Sequence, residues 1–209
     1  MTEVKLAKPD REAFTDQVAA YHQSLGKDFW RLLWTAVAEL ATGKPVEPEH
    51  LAALANLPLD RTLAIAREAW EWDPSGERLV GAGLTSLKTP YRVDIDDRTM
   101  WTWCAPDSLQ LPVMLGKPVQ TQSSCAATGV ESVDPPSAVV SFPDPSFRPS
   151  LANVRRTGCN QSSFYRDAEA ASGWLAANPH GRLVAVADAF EVLRTSMLRI
   201  KEWFEEPAG

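Results

Sequence analysis

The chain has 209 residues, of which 44% are hydrophobic and 23% charged, and its formal net charge is -6. That length suffices for a substantial core in one large domain or two small ones, and the acidic balance excludes a general affinity for nucleic acid or anionic membrane. Thr2-Glu3-Val4-Lys5-Leu6 leads into charge rather than an apolar run, and Phe29 to Leu40 is too short and too interrupted, by Arg31 and Glu39, to span a bilayer. The expectation is therefore a cytoplasmic protein with no signal peptide. Its three cysteines would stay reduced there, and an odd count at uneven spacing is no disulfide framework.

Residues 11 to 72 read as helices. Phe29, Leu32, Leu33, Ala36, Val37 and Leu40 recur at helical spacing, and Gly43 is a plausible stop. Glu49 to Asn56 is a short helix, Leu57-Pro58 a break, and Asp60 opens a helix through Leu63, Ala66 and Trp70 to Glu71. Asp73-Pro74-Ser75-Gly76 is a turn between apolar stretches. Three helices followed by a hairpin is the order of a winged helix. The last of the three carries Arg61 and Arg67 against Asp60, Glu68 and Glu71, which is no phosphate-binding stripe. A helical cover for the second half is favoured over DNA binding.

Tyr91, Val93 and Ile95 alternate with Arg92, Asp94 and Asp96, the pattern of a half-buried strand. Pro and Ser then cluster between Val133 and Ser150, with Ala138 to Phe142 as a short strand among turns. Ala168 to Ala177 reads as helix, Asn178-Pro179-His180-Gly181 as turn, Leu183 to Val186 as a buried strand, and Ala187 to Phe204 as an amphipathic helix. The expected fold is α+β, with a winged-helix-like part over 1–90 and a catalytic α/β part over 91–209.

Chemistry concentrates at Cys104-Ala105-Pro106-Asp107 and Thr157-Gly158-Cys159. Thiolates are soft ligands and a carboxylate can move a proton, so together they can hold a soft metal and deliver a proton beside it. Pro106 suits a first helical turn, which sets Cys104 just before the helix and Asp107 within its first turn. The helix field would favour the Cys104 thiolate and keep Asp107 ionised, whereas burial among Trp101, Trp103 and Leu109 would raise the carboxyl pKa. The sequence leaves that contest open. Arg155 and Arg156 could assist the thiolate of Cys159. Cys125, among small neutral neighbours, reads as a buried hydrophobe. No Cys-x-x-Cys is present, Gly81-Ala82-Gly83 lacks the rest of a phosphate loop, and His22, His50 and His180 fall in segments that read as exposed helix or turn.

The chain resembles the bacterial organomercurial lyases (alkylmercury lyases). The resemblance runs through Gly81-Ala82-Gly83-Leu84-Thr85, Ile95-Asp96-Asp97-Arg98, Trp103-Cys104-Ala105-Pro106-Asp107, Ser124-Cys125-Ala126-Ala127-Thr128-Gly129 and Val154-Arg155-Arg156 to Cys159. It implies cleavage of carbon–mercury bonds to a hydrocarbon and Hg(II). Cys104 and Cys159 would be the thiols that bind mercury, Asp107 the proton-handling acid and Cys125 a structural cysteine. It further implies no cofactor beyond mercury as substrate and product. Low-molecular-weight thiols or a mercuric reductase would take the ion, and neither nucleic acid nor membrane would be a partner. Two departures stand out: Asn160 follows Cys159 where some members carry a second cysteine, and Ser162-Ser163-Phe164-Tyr165 replaces a run richer in histidine and phenylalanine. The rival is a non-catalytic soft-metal-binding or sensing protein of winged-helix type. Trp101, Trp103, Leu109 and Phe164 are the candidate apolar walls for the organic group.

Overall fold

The computed structural model describes residues 10–129, 131–132, 137–144, 146 and 150–206. The expected turns at Asp134-Pro135-Pro136, Pro145 and Pro149, and the leader reading of residues 2–6, lie outside the described residues. Helices α1 (Arg11–Gln23), α2 (Lys27–Leu40), α3 (Pro48–Ala55) and α4 (Leu59–Ala69) come first, then strands β1 (Glu71–Trp72), β2 (Leu79–Ala82), β3 (Leu84–Thr85), β4 (Tyr91–Ile95) and β5 (Arg98–Thr102). Helix α5 (Ala105–Leu115), strands β6 (Gln120–Ser124), β7 (Glu131–Ser132) and β8 (Val139–Phe142), and helix α6 (Val154–Thr157) follow. After a 3-10 turn at Cys159–Gln161 come β9 (Phe164–Tyr165), α7 (Ser172–Ala177), β10 (Arg182–Ala185) and α8 (Val186–Glu205). The molecule is α+β, as expected, and no helix is long and apolar enough to cross a membrane among the described residues.

Local chemistry explains the boundaries. Asp10 caps α1 by accepting a hydrogen bond from the Ala13 amide at 3.3 Å. Helix α3 starts on Pro48 and ends on Asn56, whose φ of 52° closes it in the left-handed conformation. Helix α4 stops at Ala69 rather than Glu71, because Trp70 is already extended and Glu71 pairs with Gly81 in a hairpin. The helix expected over Ala168 to Ala177 is shorter. Its first residues form a turn held by the Asp167 carboxylate, which accepts from the Ala170 amide at 2.7 Å.

The strands form an antiparallel sheet in the order β1-β2-β3-β5-β4-β6-β7 and a smaller one in the order β10-β8-β9. Thus one sheet draws strands from both sides of residue 90. In β4 the alternation read from sequence holds: Tyr91, Val93 and Ile95 are buried and Arg92 is exposed. Helix α8 is the central post, burying Ala189, Val192, Leu193, Ser196, Met197, Ile200 and Phe204 along one stripe. Helices α1, α2 and α5 pack on it. Surface ion pairs Arg11–Asp188 and Arg199–Asp16, both at 2.5 Å, tie α1 to α8. The two arginines of α4 are exposed but make intramolecular contacts, Arg61 with Asp28 at 2.9 Å and Arg67 over the Trp72 ring at 3.6 Å.

Candidate active site

Cys104 leaves β5 through Trp103 and becomes the N-cap of α5, with Pro106 in the first turn and Asp107 one turn from the cap. Residues at that spacing share one end of the helix. Cys159 comes from a separate segment, the 3-10 turn that follows α6. The joint between the two segments lies at Ser162-Ser163. The Ser162 carbonyl accepts from the Ala105 amide at 3.4 Å, and the Tyr91 hydroxyl donates to Ser163 Oγ at 2.9 Å. Ser163 in turn holds β8, its amide donating to Ser141 Oγ at 2.9 Å.

The ligand atoms of Cys104, Asp107 and Cys159 all lie within 4.8 Å of one another. Among the described residues they are the one group of three cysteine, histidine or carboxylate side chains close enough to share an ion. The Cys159 thiol points at Asp107 Oδ2 across 3.7 Å. Cys104 is fully buried, whereas Cys159 and Asp107 are half-buried.

Burial decides the contest that sequence left open. It lifts the Asp107 carboxyl from 3.8 to about 6, although hydrogen bonds from both thiols and the Cys104 amide, and the charge of Arg155, pull the other way. Burial also pushes the Cys104 thiol well above its usual value, aided by the contact with Cys159 and the charge of Asp107. For Cys159 the largest influence, the hydrogen bond from Cys104, favours the thiolate, but burial and Asp107 outweigh it and the net shift is upward. Both thiols are thus protonated at rest near neutral pH, and Asp107 is mostly a carboxylate.

Arg155 is the nearby cation. Its guanidinium stacks on Trp103 at 4.7 Å and pairs with Glu71, which also accepts from Thr85 Oγ1 at 2.7 Å. Gly81 makes that cluster possible, because a Cβ there would overlap the Glu71 carboxylate. Gly83, at φ 75°, bends the chain behind Asp107. Arg156 points to solvent.

A cavity of about 130 Å³ opens on the three groups. Its walls include Phe14, Val18, Phe29, Trp30, Trp70 and Phe142, besides Trp103. Of the four walls expected from sequence only Trp103 belongs to it; Leu109 and Phe164 line a second cavity beside Cys125, and Trp101 lines neither. Cys125 is buried at 2% exposure in a core with Val139, Tyr165, Ala171 and Leu183. His22 corrects the reading of exposed histidines. It is buried at 7% exposure between Gln110 and Ser196, and burial lowers its pKa from 6.5 to about 3. The sequence reading missed α1 as a wall. The available signal was Phe14, Val18 and Tyr21-His22 at helical spacing on one face.

The family model "Alkylmercury lyase" matches residues 84–197. The chain is 36% identical over 179 residues to the alkylmercury lyase of Streptomyces lividans, covering 78% of this chain and 80% of that one. It is 30% identical over 177 residues to the alkylmercury lyase of Pseudomonas putida, covering 78% and 82%. Among solved structures, that of the mercury-bound form of MerB2 aligns with a TM-score of 0.69 at 20% identity, over 92% of this chain and 99% of that one, a likeness of fold. On the family match and these identities, the chain belongs to the alkylmercury lyase family and is a lyase.

Proposed function

We propose that this enzyme cleaves the carbon–mercury bond by protonolysis, with Cys104 and Cys159 binding mercury and Asp107 carrying the proton to carbon. The observation that carries this reading is the meeting of two sulfurs and a carboxylate within 4.8 Å at the head of an aromatic cavity. Mercury is soft, and thiolates displace weaker ligands from it. Cys159, the more accessible thiol, meets an organomercury thiolate first, and its proton leaves on the displaced external thiol. Cys104 then adds its sulfur, and its proton passes to the Asp107 carboxylate. Two thiolate donors push electron density through mercury onto carbon. Asp107 returns its proton to that carbon as the carbon–mercury bond breaks. The products balance: one hydrocarbon, one external thiol, and Hg(II) on two cysteine thiolates.

The raised pKa of Asp107, about 6, supports both halves of that duty. A group poised near the working pH accepts a proton readily and gives it up readily. No organic cofactor enters the scheme. Low-molecular-weight thiols or a mercuric reductase then take the ion from the two cysteines, a handover that suits a reducing cytoplasm. We read α2, α3, α4 and the β1–β2 hairpin as a winged-helix-like unit that serves as cover. The engagement of Arg61 and Arg67 within the protein supports cover over nucleic-acid binding, and with it catalysis over sensing. The test is headspace detection of methane from methylmercury, or benzene from phenylmercury, with excess thiol. Hydrocarbon is expected from the parent, and Cys104→Ser and Cys159→Ser should each lose nearly all of it. No gas from the parent would sink the reading.

A further inference from the structure

Gly158, immediately before Cys159, leaves a gap that a side chain of another element fills. A Cβ built there would overlap the Tyr21 hydroxyl of α1 outright and would stand 2.9 Å from the Val154 carbonyl. Tyr21 lines the same cavity as Cys104, Asp107 and Cys159. Its phenol ring is held from behind by His22, edge-on at 5.7 Å between centroids. Among the described residues the hydroxyl has no hydrogen-bond partner, although the charges of Cys159, Cys104 and Asp107 all bear on it. A donor thus stands unemployed against the turn that carries Cys159, in the cavity where Cys104, Asp107 and Cys159 meet.

We propose that Tyr21 is a positioning residue of the mercury site, its hydroxyl donating to the Cys159 sulfur in the mercury-bound state and so holding that sulfur toward Cys104. This rests on the reading of Cys104 and Cys159 as the mercury ligands. A phenol hydroxyl is a far better donor to an anionic sulfur than to a neutral thiol. The bond therefore strengthens once mercury has displaced the proton, and it is kept through substrate complex, transition state and bound product alike. Such uniform binding lowers KM and slows loss of Hg(II) without speeding the bond-breaking step. It also accounts for Gly158, since any side chain there would expel the hydroxyl.

The test compares parent, Tyr21→Phe and Tyr21→Leu. Mercuric chloride affinity is measured by competition with dithiothreitol, KM and kcat are measured with phenylmercury, and thermal midpoints serve as a fold control. For Tyr21→Phe, which keeps the ring, weaker Hg(II) binding and a higher KM by about three- to tenfold are expected. Single-turnover benzene release should change by less than twofold. Gly158→Ala should weaken Hg(II) binding likewise, because it displaces the same hydroxyl. A Tyr21→Phe enzyme with parental Hg(II) affinity and KM overturns the proposal, and so does a loss confined to Tyr21→Leu, which would assign the effect to the ring. A parent that binds Hg(II) but yields no benzene would overturn the lyase reading alone, leaving the Hg(II) titrations to judge Tyr21.

Discussion

Asp107 works against the stability of the protein that holds it. Its folded pKa of about 6 stands above the unfolded value of 3.8. Its contribution is therefore fully present below pH 3.8 and lost as pH rises through 6, and at neutral pH the buried carboxylate costs about 1–3 kcal/mol. Asp107→Asn removes that cost together with the proposed proton carrier. The variant should unfold at higher urea concentration than the parent at pH 8, with the gap closing below pH 5. Its hydrocarbon release should fall about 10²–10⁴-fold while Hg(II) still binds. An Asp107→Asn enzyme with parental gas release would remove the proton-transfer role assigned to this residue. Arg155 tempers the shift without cancelling it, since its charge is divided between Glu71 and the face of Trp103.

At the scale of elements, the strand β2 carries a requirement that its sequence states only as a glycine. Gly81→Ala would push a methyl group into the Glu71 carboxylate and within 2.9 Å of Thr85 Oγ1. We expect a loss of about 1–3 kcal/mol in urea unfolding as the Glu71–Arg155 pair is displaced. Parental stability would show that the cluster yields without cost. Much at this scale was legible beforehand. The alternation Tyr91-Val93-Ile95 marked β4, Pro106 marked the start of α5, and the apolar stripe from Ala189 onward marked α8, because each rests on local periodicity or a backbone constraint. Residue type and resemblance singled out Cys104, Asp107 and Cys159, the three side chains that meet within 4.8 Å. What stayed hidden was tertiary. Nothing local in Phe14, Val18 or Tyr21 says that α1 will line a cavity with α5, and Trp101 and Trp103 look alike in sequence although β5 ends at Thr102 and only Trp103, beyond the strand, reaches the cavity.

Across the whole molecule, acid stability joins groups that sequence keeps far apart. His22 lies between α5 and α8 with its pKa lowered by burial from 6.5 to about 3. Its contribution is fully present above pH 6.5 and is lost as pH falls toward 3, reaching about 2–3 kcal/mol near pH 4.5. Asp107 tilts the opposite way between pH 6 and 3.8, so the parent's acid limb should be shallow. His22→Gln should retain more stability on going from pH 7 to pH 4.5 than the parent does. Equal losses in the two would show that the imidazole is not what fails in acid. The placement of the two cysteines has one more consequence. Cys104 caps α5 and Cys159 rides a separate 3-10 turn, so an ion held by both sulfurs would cross-link elements distant along the chain. A ligand that binds only the folded chain stabilises it in proportion to its occupancy. On the proposed mechanism the product of one turnover would be a reversible staple, and the melting temperature a gauge of how many enzyme molecules have yet to be emptied.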